Sequence, residues 1–181
     1  MSDRKLTMLE LNRMTEAEFK TAGKIHVVLI LDNIRSGLNV GSIFRSADSF
    51  RIEKIFLCGI TPTAEHRDVL KTALGATRTV KWAHHPDAIL LIEELKREGY
   101  QILAVEQTIN SVPLHHLELK QATGYALVLG HELSGVSQPV IDGCDGAVEI
   151  IQSGTKHSLN VAVCAGIVLY EFSQKLNFRN V

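Results

Sequence analysis

A chain of 181 residues, 45% of them hydrophobic, holds enough apolar material for one core of ordinary size, since domains run to roughly 100–200 residues. Its formal net charge of -1 excludes a protein that meets nucleic acid through bulk cationic charge, so any such face has to come from local arginines and lysines. Cys58, Cys144 and Cys164 are odd in number and far apart, which excludes a disulfide framework or a Cys-x-x-Cys zinc site and makes a reducing cytoplasm the expected compartment.

The N-terminus, Met1-Ser2-Asp3-Arg4-Lys5, lacks the apolar run of a signal peptide, and no stretch reaches the ~18 uninterrupted apolar residues of a membrane helix. Leu6, Leu9, Met14 and Phe19 recur near helical spacing, so the first ~20 residues are expected to be helical. The run Ile25 to Leu31 is short, β-branched and nearly all apolar, the pattern of a strand buried on both faces. A loop from Asp32 to Leu38 and a helix from Asn39 to Phe50 follow. Lys54 to Cys58 is strand-like, Glu65 to Leu74 helical, Arg78 to Trp82 strand-like, and Asp87 to Glu98 an amphipathic helix ended by Gly99. Tyr100 to Val105, Tyr125 to Leu129 and Ala147 to Ile151 are further apolar strands, and a helix is expected from about Ser158 to Leu176. This alternation predicts an α/β fold with a parallel sheet and helices on both faces. The expected organisation is an N-terminal helical extension over 1–24 and a single catalytic domain over 25–181.

Ligands in such sheets bind where loops leave the carboxyl ends of strands. Three such loops are rich in glycine and polar residues: Asp32 to Gly41, Gly130 to Gly135, and Gln152 to Asn160. Singly, each has an ordinary reading. Gly130 and Gly135 suit turns, while Ser158 and Asn39 suit helix caps. No Gly-x-Gly-x-x-Gly follows the first strand and no phosphate-loop Gly-Lys-Ser/Thr is present, which argues against a dinucleotide- or phosphate-binding metabolic enzyme.

The three motifs in order, Asn39-x-Gly41-x-x-x-Arg45, Gly130-x-Glu132-x-x-Gly135 and Ser158-Leu159-Asn160-Val161, closely resemble the SpoU (TrmH-like) class of the SPOUT RNA 2′-O-methyltransferase superfamily. Ala47-Asp48 and Gly75-Ala76 are lesser matches, and the resemblance runs from about Ile25 to Phe172. One departure is that the third motif of the family opens Ile-Pro, where this chain has Ile150-Ile151.

The resemblance implies a parallel-sheet SPOUT fold whose C-terminal part forms a deep trefoil knot, an exception to the rule against threaded chains. It implies S-adenosylmethionine as cofactor, without a metal, held by Leu129, Gly130, Glu132, Gly135, Ile150, Ile151, Ser158 and Leu159. It further implies ribose 2′-O-methylation of RNA by Arg45, Asn39, Glu132, Ser158 and Asn160. Arg45 would hold the neighbouring phosphate and stabilise the developing alkoxide, since a guanidinium is charged at any ordinary pH. Homodimers with shared active sites are the family pattern. Transfer RNA is the expected substrate, with ribosomal RNA second; a catalytically inactive RNA-binding knot protein is the rival reading, opposed by the intact Arg45 and Asn160.

The pairs His84-His85 and His115-His116 are adjacent, and sequence neighbours seldom converge on one ion, so they are read as surface loop residues. Arg67, Lys71, Arg78 and Lys81 form a positive stretch, which fits either a phosphate track or a solvated face.

Overall fold

The run Ile25 to Leu31 does become a strand, and everything else is arranged around it. In the computed structural model, which describes residues 3–7, 9–121 and 123–176, strand β1 spans Ile25–Asp32 and buries every residue but His26. Its alternate side chains enter two cores. Val27, Leu29 and Leu31 join one, while Val28 and Ile30 join the other. Covering both faces explains the uninterrupted apolar run.

Six more strands complete the sheet: β2 (Ile52–Cys58), β3 (Lys81–His85), β4 (Tyr100–Val105), β5 (Val112–Pro113), β6 (Gly124–Leu129) and β7 (Gly146–Glu149). Their order is β3-β2-β1-β6-β4-β7-β5, and every pairing is parallel. One face is covered by α1 (Glu16–Thr21), α2 (Gly37–Ser49), α3 (Arg67–Ala73) and α6 (Val161–Lys175), which contribute Phe19, Phe44, Val69 and Phe172 among others. The other is covered by α4 (Ala88–Arg97) and α5 (Gln138–Gly143), through Leu91, Ile92, Leu95 and Val140. No helix among the described residues is long and apolar enough to cross a membrane.

The architecture positions the site. Because β1, β6, β4 and β7 are neighbours and parallel, the loops leaving them emerge side by side at one edge of the sheet. That brings residues more than a hundred positions apart within hydrogen-bonding reach.

Several local expectations are corrected. The helix expected over the first ~20 residues is confined to Glu16–Thr21; Met1, Ser2 and Met8 lie outside the described residues. Leu6, Leu9 and Met14 are exposed and only Phe19 is buried, so no apolar stripe stabilises a longer helix. The helix starts at a capping box, with Thr15 and Glu18 bonding each other's backbone N–H, a signal present in Thr15-Glu16-Ala17-Glu18. The third strand begins at Lys81 rather than Arg78, because Gly75, at φ 95°, turns the chain into a 3-10 turn over Ala76–Arg78. His84 and His85 therefore lie on that strand rather than in a loop, and His115 and His116 lie in a 3-10 turn. The last helix begins at Val161, capped by Asn160 rather than Ser158. Short β5 and α5 escaped the sequence pattern, since two and six residues are too few to show a period.

Gly41 marks the tightest helix contact. A Cβ there would lie 2.2 Å from both the Val69 carbonyl oxygen and Thr72 Oγ1, so α2 and α3 touch backbone to backbone. Gly41→Ala is expected to destabilise the fold by about 2 kcal/mol through overpacking. Urea unfolding checks it, and an unchanged midpoint would show that α3 moves aside freely.

Candidate active site

The loop after β1 is pinned from below. Ile34 is fully buried, its N–H donates to Thr61 Oγ1 at 3.0 Å, and the same hydroxyl donates to the Leu31 carbonyl at 2.8 Å. Ser36 then caps α2 by accepting from the Asn39 N–H at 3.3 Å. The N–H groups at this helix start point towards the loop leaving β6, where Glu132 stands. Its carboxylate accepts from the Arg35 N–H at 3.0 Å, the Ser36 N–H at 2.9 Å and Asn39 Nδ2 at 3.1 Å. An anion at a helix N-terminus is favoured both by unpaired donors and by the helix dipole.

A third loop joins through Asn39, whose Oδ1 accepts from Asn160 Nδ2 at 3.1 Å. Asn160 Oδ1 in turn accepts from the Ala162 and Val163 N–H groups at 2.9 and 3.4 Å, capping α6. Glu132, Asn39 and Asn160 thus form one directional relay between the starts of two helices. Burial works to raise the Glu132 carboxyl, but the N–H groups of Arg35, Ser36 and Glu132 itself and the Asn39 amide outweigh it and hold it below the ordinary value.

Beside this relay lies a cavity of about 630 Å³, walled by the loops leaving β4, β6 and β7. Of the residues predicted to hold a ligand, Leu129, Gly130, Glu132, Gly135, Ile150, Ser158 and Leu159 line it, as does Asn160. Ile151 is 62% exposed and is not among the lining residues. Gly130 and Gly135 serve different ends. Gly135 sits at φ 67°, a conformation suited to glycine. Gly130 permits close approach instead, because a Cβ there would lie 2.3 Å from the Gly135 carbonyl. Mutual hydrogen bonds between His131 and Gly135, at 3.1 and 2.8 Å, close the loop between them.

Glu106 and Gln107, also in the wall, were missed from sequence. They directly follow β4, so the carboxyl-end rule applied to them; no glycine drew attention to that loop. Glu106 accepts from the Gln107 and Val136 N–H groups, both at 2.9 Å, and its Oε2 lies where a Cβ on Gly135 would be, 2.1 Å from it. Cys164 also lines the cavity, but burial, then the charge of Glu106, pushes its thiol up to about 11. It is a poor nucleophile there. Among the described residues no three His, Cys, Asp or Glu side chains are grouped as metal ligands.

Arg45 is not brought to this cavity. It is exposed on α2 and lines a second hollow, also of about 630 Å³, together with Arg13, Asp48, Arg51, Gly75 and Arg78. The relay thus borders one hollow and the arginine lines another.

Residues 26–170 match the family model described as the SpoU rRNA Methylase family. A protein of Staphylococcus saprophyticus named as a TrmH family tRNA/rRNA methyltransferase is 31% identical over 162 residues, which is 90% of this chain and 64% of that protein. The chain thus spans less than two thirds of the length of that relative. The AdoMet-bound rRNA methyltransferase of Sinorhizobium meliloti superposes with a TM-score of 0.77 at 25% identity, over 87% of this chain and 58% of that one. The TrmH/SpoU tRNA modifying enzyme of A. aeolicus gives 0.76 at 24% identity, over 91% and 82%, a likeness of fold.

The relay generates a prediction about pH. Glu132 has a folded-state value below its unfolded one, so its contribution to stability is complete above the unfolded value and is lost as pH falls through the folded value. Glu132→Gln is expected to be less stable than the wild type at neutral pH, with the gap closing as pH drops below the ordinary 4.5. Urea midpoints across that range measure it; a gap independent of pH would mean that charge at Glu132 does not matter.

Proposed function

The chain belongs to the SpoU rRNA Methylase family, and from that premise we propose that it is an S-adenosylmethionine-dependent RNA ribose 2′-O-methyltransferase. The observation that carries the reading is the relay from Glu132 through Asn39 to Asn160 at the rim of the cavity, because it ties the three family motifs into one site.

The cavity suits the cofactor. Its volume of about 630 Å³ falls within the roughly 300–1,000 Å³ of small-molecule sites. Leu129, Ile150 and Leu159 offer apolar surface to an adenine ring. Gly130 and Gly135 leave backbone where any side chain would intrude. Bound S-adenosylmethionine supplies a methyl group made electrophilic by its sulfonium, so the transfer has no need of a metal.

The residues then have three tasks: to orient the ribose, to hold the loops of the site in register and to receive developing charge. Asn160 and Ser158, at the start of α6, orient the ribose by hydrogen bonds. Glu132 keeps the β6 loop in register with α2. Arg45 grips the phosphate next to the reacting ribose and stabilises the negative charge that develops on the 2′ oxygen as it takes the methyl group and gives its proton to water. Since Arg45 lines a separate hollow of its own chain, the complete site takes Arg45 from a second copy. The surface of α6 supports that pairing. Val163, Ile167 and Tyr170, spaced i, i+4, i+7, form an exposed apolar stripe, and Tyr170 lies edge-on to Phe50 at the end of α2. Burying the stripe in a two-fold dimer removes it from water and carries α2, with Arg45, towards the partner's cavity. The same reading threads the C-terminal part of the chain as a trefoil knot.

Incubating the protein with S-adenosylmethionine and transfer RNA, or ribosomal RNA as the second substrate, is expected to produce a 2′-O-methylnucleoside detectable by mass spectrometry. Methylation confined to a base would overturn the assignment. Arg45→Ala is expected to lower the rate by about 10²-fold or more, the scale of a lost charge-stabilising donor, while calorimetry finds cofactor affinity almost unchanged. A large loss of affinity would move Arg45 into the cofactor site instead. Light scattering is expected to find a dimer; a monomer that still methylates RNA would refute the shared site.

A further inference from the structure

The second hollow has a chemistry of its own. Every cation lining it is an arginine: Arg13, Arg45, Arg51 and Arg78, against the two carboxylates of Glu16 and Asp48. Both carboxylates are engaged. Glu16 accepts from Arg78 at 2.9 and 2.7 Å, and Asp48 accepts from the Thr79 hydroxyl. Arg13 and Arg45 are exposed, and neither has an ion pair or side-chain hydrogen bond among the described residues. Positive charge continues beyond the rim. Burial, then the nearby charges of Arg51 and Lys81, hold the Lys24 ammonium below its ordinary value, while Asp48 pulls the other way. In a chain of net charge -1, this is a local concentration of cations, of which Arg13 and Arg45 have no anionic partner among the described residues.

Guanidinium groups suit one anion class above others. Their planar forks bind phosphate oxygens in pairs and lose little hydration in doing so. Several arginines lining one hollow offer more paired donors than one phosphate takes up, which suits a chain of phosphates. One wall of the hollow is built by Arg13, Thr15 and Glu16, which precede the span 26–170 shared with the family. The ion pair from Glu16 to Arg78, reaching across 62 residues, holds that wall against the turn before β3. Of the positive stretch noted in the sequence, Arg78 lines this hollow, and Lys81 is near enough to Lys24 for its charge to act there. Arg67 and Lys71 pair with Asp68 instead.

We propose that this hollow is the groove for the RNA backbone, with Arg13 a phosphate-binding residue that the segment before α1 supplies. Arg45 sits in the same groove, so the backbone held there places a ribose beside the arginine assigned to its chemistry. The inference rests on the RNA substrate proposed above. It adds where the strand lies, and that residues preceding the shared span hold it.

Charge reversal separates the possibilities, because Arg13 is exposed in a loop and its replacement leaves the core untouched. Arg97→Glu, on α4 at the opposite face of the sheet, changes net charge equally and serves as control. Fluorescence anisotropy of the full chain with a transfer RNA transcript and with a ribosomal RNA fragment would be followed over a salt series. Arg13→Glu is expected to weaken RNA binding about tenfold and to lower the salt slope by about one, the signature of a lost phosphate contact. Arg97→Glu should stay near the wild type, and calorimetry should find S-adenosylmethionine affinity equal in all three proteins. RNA bound by the wild type and equally well by Arg13→Glu would overturn the groove alone. A wild type that binds S-adenosylmethionine but neither RNA would overturn the groove together with the RNA substrate.

Discussion

Glu132 reaches across 97 residues of sequence to the Arg35 N–H and across 93 to the Asn39 amide. The loop that carries it would be costly to order alone, since each fixed residue loses backbone freedom worth about 1–2 kcal/mol. Its carboxylate offsets that cost by satisfying donors at the start of α2 that have no partner within the helix. Asn39 extends the same logic to Asn160 and so to α6. The helices themselves are held by the core they share, but the register of the β6 loop against the start of α2 depends on one negatively charged group. Removing it would free the β6 loop from α2 while leaving the bond from Asn160 to Asn39 in place.

The relay is possible only because the sheet is parallel. Parallel strands put all their carboxyl ends at one edge, and the order β1-β6-β4-β7 gathers there loops drawn from most of the chain. Glycine does the rest at two points. Gly130 lets the β6 loop fold back on itself, and Gly135 lets Glu106 of the neighbouring strand approach. At those two points the cavity wall is bare backbone, set among the apolar Leu129, Ile150 and Leu159 and the polar Glu106 and Gln107.

Electrostatically the two hollows are unlike. The cavity at the sheet edge includes the carboxylates of Glu106 and Glu132 and no arginine or lysine, whereas the hollow beside α2 is lined by four arginines. A cofactor carrying a sulfonium and a polyanionic substrate call for opposite fields. On the proposed function the cofactor and the RNA take one hollow each, which keeps each field intact, and a two-fold pairing is the simplest way to bring the two hollows together.

Much of this was legible in the residues. The apolar run over β1 announced a doubly covered strand, and the alternation of strands and helices announced the layers, because burial imposes its period directly on sequence. The three motifs named Asn39, Glu132 and Asn160 in advance. The first helix was misjudged since spacing alone cannot tell an apolar residue that finds a core, such as Phe19, from Leu9, which stays exposed. Sequence by itself determined the fold class, the family and the three loops that meet at the relay. Only the tertiary structure decided which residues meet: that Glu106 shares the cavity, that Ile151 turns away from it, and that Arg45 stands in a separate hollow with Arg13. Those are distances between parts of the chain far apart in sequence, set by strand order and helix packing, and no local pattern encodes them.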